Sequence, residues 1–517
     1  MILDDTPDRL GPLTKPAADA LAELGDRDAV ARTWSGDHTL WRDDPTEISD
    51  RLGWLTVVPD MLARLDGLRA RVAALVSGVD HVLLAGMGGS SLFPEVIARS
   101  LPAGGAGGGP SLTVLDTTDP AAVARVGRNL PADRTLTVAA SKSGSTLETR
   151  SHLAWAWDRN PDPSRFAVIT DPGSELGALA ADRGFAATFE NPPDLGGRYS
   201  ALSLFGLVPA LLAGADVAGL LRSASAMSDR LRGSTPANPA ARLAAAVAAG
   251  ARSGRDKLTL VVPDDVATFG LWLEQLVAES TGKDGTGVIP VVGEALGPPE
   301  VYGDDRLFVA LGDDTERAAL AALAAAGHPV AVLPFGGALT DLGAQVLLWE
   351  LATALVGALL GIQPFDQPDV AAAKAATARV LADGPPHVAD TPLDDLLAEV
   401  APGDYVAIQA FVDPGDPAVA AIERARLALR DRLHVATTVG LGPRFLHSTG
   451  QLHKGGPGTG VFVQVVGDDP EDVPVPGAGY GFSRLKHAQA DGDLATLHDR
   501  KRRAGRVRLA EVTEVAP

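Results

Sequence analysis

The stretch Thr135-Leu136-Thr137-Val138-Ala139-Ala140-Ser141-Lys142-Ser143-Gly144-Ser145-Thr146-Leu147-Glu148-Thr149 decides the fold of this chain. Its first six residues form a short apolar run that reads as a buried strand, and a hydroxyl-rich turn follows where a helix can begin. Ser141, Ser143, Ser145 and Thr146 stand beside Lys142 at the carboxyl end of that strand. Hydroxyls and helix-start N–H groups donate to a dianion while the lysine adds charge, so the turn is a candidate phosphate cradle. The same residues would also serve as a plain helix cap. Working outward, HVLLAG (81–86), LTVLDTT (112–118) and RFAVIT (165–170) are further short strands separated by helical stretches. Such alternation predicts a parallel sheet covered by helices on both faces, with ligands collecting beyond the carboxyl ends of its strands.

A second series begins after Asn238, with an Ala-rich helix, KLTLVVP (257–263), the helical ATFGLWLEQLVAES (267–280), VIPVV (288–292), RLFVALG (306–312) and PVAVLPF (329–335). Ahead of the first strand, Leu52, Leu55, Val58, Leu62, Leu65 and Leu68 fit one face of a helix. The turn formers and paired prolines of ADGPPHVADTP mark a linker. The expected organisation is therefore a helical segment at 1–75, one α/β domain at 76–240, a second at 241–381, a linker at 382–392 and an α+β extension at 393–517. In that extension YVAIQAFV and GVFVQVV read as strands, ERARLALRDRL as a helix, and the basic DRKRRAGRVRL as a solvated helix terminus rather than a polyanion site.

Composition narrows the function classes. A chain of 517 residues has room for three to four structural units at roughly 150 residues each. Its formal charge of −20 repels polyanions, so neither nucleic acid nor an anionic membrane is an expected partner and any phosphate site must be local. With no cysteine, disulfides, thiolate metal sites and cysteine nucleophiles are impossible. The acidic start MILDDTPDRLG has neither a secretory nor a transit pattern, which makes the cytoplasm the expected location. ALSLFGLVPALLAGADVAGLL and VLLWELATALVGALLGI are interrupted by Pro209, Asp216 and Glu350 and read as buried helices.

Four other motifs carry candidate chemistry. Gly86-Met87-Gly88-Gly89-Ser90-Ser91 is a sharp strand-to-helix turn suited to close approach by an anionic or hydroxyl-rich ligand, though without dinucleotide or NTP spacing. In Gly196-Gly197-Arg198-Tyr199-Ser200 two glycines open a path for a guanidinium to reach an oxyanion. Gln275 and Glu279 are four apart and share a helix face, with Glu279 in the last turn, where the dipole's negative end disfavours its charge and suits it to proton abstraction. Glu274 reads as solvated surface. Phe365 to Lys374 closes one helix and opens another with Pro368 near its start, and the loop from Gly442 to Pro457 is too rich in glycine, histidine and cations to be core.

Taken in order, GMGGSSLFP, SKSGSTLET, GGRYSALS, AESTGK and FDQPDVAAAK resemble the glucose-6-phosphate isomerase (phosphoglucose isomerase) family, built from two sugar isomerase (SIS) domains. GPRFLHSTGQLHKGGP resembles the branch of that family found fused behind a transaldolase. The resemblance implies an α/β fold of two doubly wound parallel-sheet domains with an additional C-terminal α/β domain, no metal and no cofactor. It implies interconversion of D-glucose 6-phosphate and D-fructose 6-phosphate through a cis-enediol(ate), in glycolysis and gluconeogenesis. It places Gly89, Ser90 and Gly197 near the sugar, Ser141, Lys142, Ser143 and Thr146 around the phosphate, Arg198 beside the reacting carbons, Gln275 at the ligand, Glu279 as base, and Gln367 and Lys374 at the sugar end.

Conventional members carry a ring-opening histidine, supplied by a partner subunit, some thirty residues beyond the base. Here GEALGPPEVYGDDRLFVAL holds none. His447, His453 and Lys374 can take that role, with His447 the expected one, and a homodimer is possible rather than required. Alternatives are a dual phosphoglucose/phosphomannose isomerase and a non-catalytic SIS phosphosugar-binding protein.

Overall fold

Three parallel sheets succeed one another along the chain in the computed structural model, which describes residues 9–101, 109–312, 316–384 and 388–516. The first is five-stranded, in the order β2-β1-β3-β4-β5, from β1 (His81–Gly86), β2 (Ser111–Leu115), β3 (Thr135–Ala140), β4 (Phe166–Thr170) and β5 (Ala187–Glu190). β3 and β4 are buried along their whole length, as strands covered on both faces must be. The second sheet has the order β7-β6-β8-β9, with β6 (Lys257–Val261), β7 (Ile289–Val291), β8 (Arg306–Leu311) and β9 (Val330–Leu333).

The third sheet, β11-β10-β12-β13, is built from β10 (Tyr405–Phe411), β11 (Ala436–Leu441), β12 (Gly460–Val466) and β13 (Arg503–Arg506). All its pairings are parallel, and the helix Pro417–Leu433 crosses between β10 and β11. The C-terminal unit is thus α/β, the class the resemblance implies, and not the α+β pattern read along 393–517, because helical crossovers return each strand in the same direction. The basic end is not a solvated helix terminus either. The helix Phe482–Asp499 stops before it, and β13 joins the sheet with Arg503 on Asp404 at 2.7 Å and Arg506 on Asp491 at 2.8 Å.

Three strands escape an apolar-run reading, β5, β11 and β13, since ATFE, ATTVGL and RAGR are edge strands with half-exposed residues. The helix expected from Leu52 begins only at Val57 and runs to Leu75; Leu55 lies in a short 3-10 turn and Leu52 bridges Leu195. Leu342–Leu360, long and apolar enough for a bilayer, is packed inside the main core. Of the expected linker, 385–387 fall outside the described residues, 382 and 383 end the helix Pro368–Asp383, and Asp390 bridges Arg506.

Candidate active site

The glycine turn and the GGRYS turn lie against each other beyond the end of β1. Gly88 has φ +55, a conformation that favours glycine, and a Cβ there would meet Gln275 Nε2 and the His447 carbonyl, each at 2.9 Å. At Gly89 the constraint is purely steric: a Cβ would stand 1.9 Å from the carbonyl oxygen of Gly197. Ser90 is half-buried at the end of this turn, and Gly197 is exposed.

That close approach carries Arg198 into the interior. Its Nε donates to Ser280 Oγ at 2.9 Å, and its NH2 donates to the carbonyls of Pro364 at 2.9 Å and Asp366 at 2.7 Å. NH1 lies 3.3 Å from Glu279 Oε1, both side chains being under a tenth exposed. On the other carboxylate oxygen, Gln275 Nε2 donates to Oε2 at 3.1 Å and also reaches the carbonyl of His447 at 2.9 Å. Local pattern alone allows Glu279 to be a surface side chain; instead the Phe269–Thr281 helix is buried through its last turn. The guanidinium supplies the counter-charge that the helix end does not.

Around the hydroxyl turn, Gly144 takes φ +74 and its N–H donates to Ser141 Oγ at 3.1 Å. Ser141 Oγ also bonds Thr146 Oγ1 at 3.0 Å, and Ser143 Oγ bonds Ser145 Oγ at 2.8 Å. Thr146 precedes the helix Leu147–Arg159 without capping it by its own side chain, so its hydroxyl is not committed to the helix end. Lys142 is held by Asp171 and by the carbonyl of Pro193 at 2.7 Å.

As the second residue of the helix Leu147–Arg159, Glu148 accepts from His447 Nε2 at 2.8 Å and from Gln489 Nε2 at 2.7 Å. Burial alone would raise the Glu148 carboxyl, but the charge and hydrogen bond of His447 outweigh it and hold it at about 2. A carboxylate can only accept, so Nε2 carries a proton in either charge state, and in the neutral imidazole Nδ1 is the atom free to accept. Ser145, Glu148, Lys374, His447, Gln489 and Asp493 line one cavity of about 230 Å³. Lys374 reaches it from about two turns into the helix that Pro368 opens, while Gln367 stands exposed just before that helix. The C-terminal unit therefore walls the site. Glu148 belongs to the SKSGSTLET motif, where nothing local reveals its partner, and Gln489 and Asp493 carry no local signal, because only tertiary packing of the Phe482–Asp499 helix brings them there.

Three features differ from what the sequence suggests. Glu274 is not solvated: it is buried, its carboxyl pushed up to about 7 by that burial, and it accepts from Ser448 Oγ at 3.3 Å. The C-terminal unit covers a helix face that an isolated amphipathic helix would leave wet. His453 does not line the cavity but is buried, with Nδ1 against Gln409 Nε2 at 3.1 Å, and burial pushes it well below the usual histidine range. The Gly442–Pro457 loop itself is largely interior, folding into the short helix Gly450–Gly455 with Gln451 and Lys454 buried.

A family model described as phosphoglucose isomerase matches residues 56–293. Glucose-6-phosphate isomerase of Rubrobacter xylanophilus is 31% identical over 401 residues, covering 64% of this chain and 92% of that protein. The enzyme of that name from Gloeothece citriformis is 37% identical over 216 residues, 39% of this chain and 40% of the relative. Among solved structures, a hypothetical protein of Thermus thermophilus superposes with TM-score 0.63 and 25% identity, covering 74% of this chain and all of that one. A glucose-6-phosphate isomerase from Chlamydia trachomatis superposes with TM-score 0.61 at 17% identity, covering 71% and 86%.

Proposed function

Because this chain belongs to the phosphoglucose isomerase family, we propose that it converts D-glucose 6-phosphate to D-fructose 6-phosphate and back, using the cluster around Glu279. The observation that carries this reading is the buried Arg198–Glu279–Gln275 group, joined through the carbonyl of His447 to the wall of the cavity that the hydroxyl turn enters.

Binding begins with the phosphate, taken by Ser141, Ser143 and Thr146 and by N–H groups at the start of the following helix, with Lys142 adding charge from its seat on Asp171. Gly89, Ser90 and Gly197 form the close backbone surface along the sugar, and Gln367 meets its far end. His447 then opens the ring, Nδ1 removing the O1 hydroxyl proton while Lys374 protonates the departing O5. Glu148 fixes the orientation of the imidazole.

Glu279 takes the proton from C2 of the open aldose. The C2–H electrons form the C1–C2 double bond and the carbonyl electrons move to O1, which Arg198 stabilises. Return of the proton from Glu279 to C1, as the O2 hydroxyl proton passes to O1 and its electrons form the C2 carbonyl, completes the ketose. Gln275 keeps the carboxylate aimed by holding Oε2. One oxyanion donor is worth about 3–4 kcal/mol in a barrier of this kind. Anchoring the phosphate while the base waits at the other end turns binding energy into orientation.

The loop Gly442–Pro457 is what aligns the chain with the branch otherwise fused to transaldolase, and we assign it the part that a separate subunit's histidine plays in conventional members. A coupled assay with glucose, fructose and mannose 6-phosphates tests the proposal; turnover of the first two at a chelator-insensitive rate is expected. Failure to interconvert them would overturn it, and use of mannose 6-phosphate would extend it to the dual isomerase.

A further inference from the structure

A second cavity, about 430 Å³, opens where the C-terminal unit meets the end of the Glu279 helix and the start of the Lys374 helix. Four cationic side chains, Lys283, Lys454, Arg500 and Arg502, face it against two carboxylates, Asp284 and Asp369. Three of the cations have a carboxylate of their own. Lys283 bonds Asp366 and Lys454 bonds Asp493, each at 2.5 Å, and Arg500 bonds Asp369.

Arg502 differs. Its NH2 donates to the carbonyls of Lys454 at 2.6 Å and Gly456 at 2.7 Å, and its Nε is buried without a partner. Among the described residues no carboxylate neutralises it. Desolvating a cation without a counter-charge is costly, and a planar guanidinium backed by further ammonium and guanidinium groups is suited to a phosphate. Asp284 is held by Arg42 at 2.9 Å, so Arg502 is the cation left over, in a chain whose formal charge is −20.

The same groups reach the substrate cavity. Asp493, the partner of Lys454, lines that cavity and has an Oδ2 with no partner. The helix that holds Asp369 in its first turn also carries Lys374 and Thr377 to the substrate cavity. The buried Lys454–Asp493 pair thus spans the wall between the two cavities.

We propose that the second cavity binds a small phosphate-bearing anion, and that its occupancy weakens sugar-phosphate binding next door. An anion competing for Lys454 leaves Asp493 as an uncompensated carboxylate beside the substrate, which repels the sugar phosphate. Anion binding here does not depend on the isomerase reading; the coupling to substrate does.

Calorimetric titration with inorganic phosphate, and separately with glycerol 3-phosphate as a monoester, reads the site without turnover. The full chain should bind two phosphates, and a chain carrying Ser141→Ala and Thr146→Ala should keep one. Arg502→Met, or Arg500→Gln on a half-exposed side chain, should weaken that remaining site at least tenfold. The tighter of the two probes there distinguishes a free ion from a phosphorylated metabolite. In the isomerase assay, apparent KM should rise with phosphate along an upward curve in the unaltered chain and along a straight line in Arg502→Met. No phosphate bound by the Ser141/Thr146 variant, or two unaffected sites in both arginine variants, would overturn the site. A straight line in the unaltered chain would overturn the coupling.

Discussion

Replacing Glu279 by glutamine tests the base most directly, since the amide keeps the shape of the side chain and removes its proton-accepting charge. The local cost can be worked from the contacts. The amide oxygen can accept from Arg198, as Oε1 does at 3.3 Å, but its NH2 then faces Gln275 Nε2, which now lies 3.1 Å from Oε2. Turning Gln275 over would offer its unpartnered Oε1 but give up the bond to the His447 carbonyl. One buried polar contact is lost either way and the Arg198 guanidinium loses its buried counter-charge, together about 3–5 kcal/mol. Arg198 keeps Ser280, Pro364 and Asp366, so it stays in place and the fold survives. Catalysis falls as well. A positioned base contributes about 10²–10⁴, so kcat for Glu279→Gln should fall about a thousandfold, or ~4 kcal/mol, with KM nearly unchanged. Turnover in D2O supplies the decisive measurement: the unaltered enzyme should wash solvent deuterium into C1 of fructose 6-phosphate and C2 of glucose 6-phosphate, and Glu279→Gln should not. A kcat within tenfold of the original, with deuterium still entering the sugar, would refute the assignment.

His447→Ala and Glu148→Gln should each slow use of cyclic glucose 6-phosphate more than of an open-chain substrate, and equal slowing of both substrates would dismiss the pair as ring openers. Ser141→Ala with Thr146→Ala should raise KM about tenfold or more with a smaller change in kcat, from loss of charge-assisted bonds worth about 1.5–3 kcal/mol each; an unchanged KM in steady-state assays would remove the phosphate cradle. Gly89→Ala should abolish activity, because its methyl cannot stand 1.9 Å from the Gly197 carbonyl and must push Arg198 off its seat; full turnover would show that the two turns can part harmlessly. Glu274 has a folded-state pKa of about 7, raised by burial above its unfolded value. The native chain therefore holds a proton that the unfolded chain releases, and stability falls as pH rises from about 4.5 to about 7, by about 3 kcal/mol. Denaturation of Glu274→Gln should show equal stability near pH 4 and a gain above pH 7; no gain at pH 8 would contradict the buried-acid account.

The parallel sheets were legible because buried strands such as TLTVAA and KLTLVVP are short apolar runs bounded by turns, a pattern that needs no tertiary information. The half-exposed β5 and β11 lack it and went unread for that reason, whereas the edge strands β2, β7 and β9 keep enough apolar residues to be read. Helix-local logic found Gln275 and Glu279 as a pair, since a spacing of four fixes one face. It failed for Glu274, whose burial depends on a loop about 170 residues away in sequence. Arg198 could be singled out from its glycines, yet its partner could not, because Glu279 lies on the helix Phe269–Thr281 that connects β6 and β7 of the second sheet. The basic stretch after Asp499 looked solvent-bound because counting charges says nothing about Asp404 and Asp491, which meet its arginines across the third sheet.

The contact between Glu148 and His447 joins residues 299 positions apart. Synthesis proceeds from the N-terminus, so a growing chain can finish the phosphate turn and the base long before the imidazole leaves the ribosome. Such a nascent chain could hold sugar phosphates without opening their rings. Competence would then arrive late and all at once, when the last sheet docks, and a chain cut short between Lys374 and His447 would be a binder of sugar phosphates in place of an enzyme for cyclic ones.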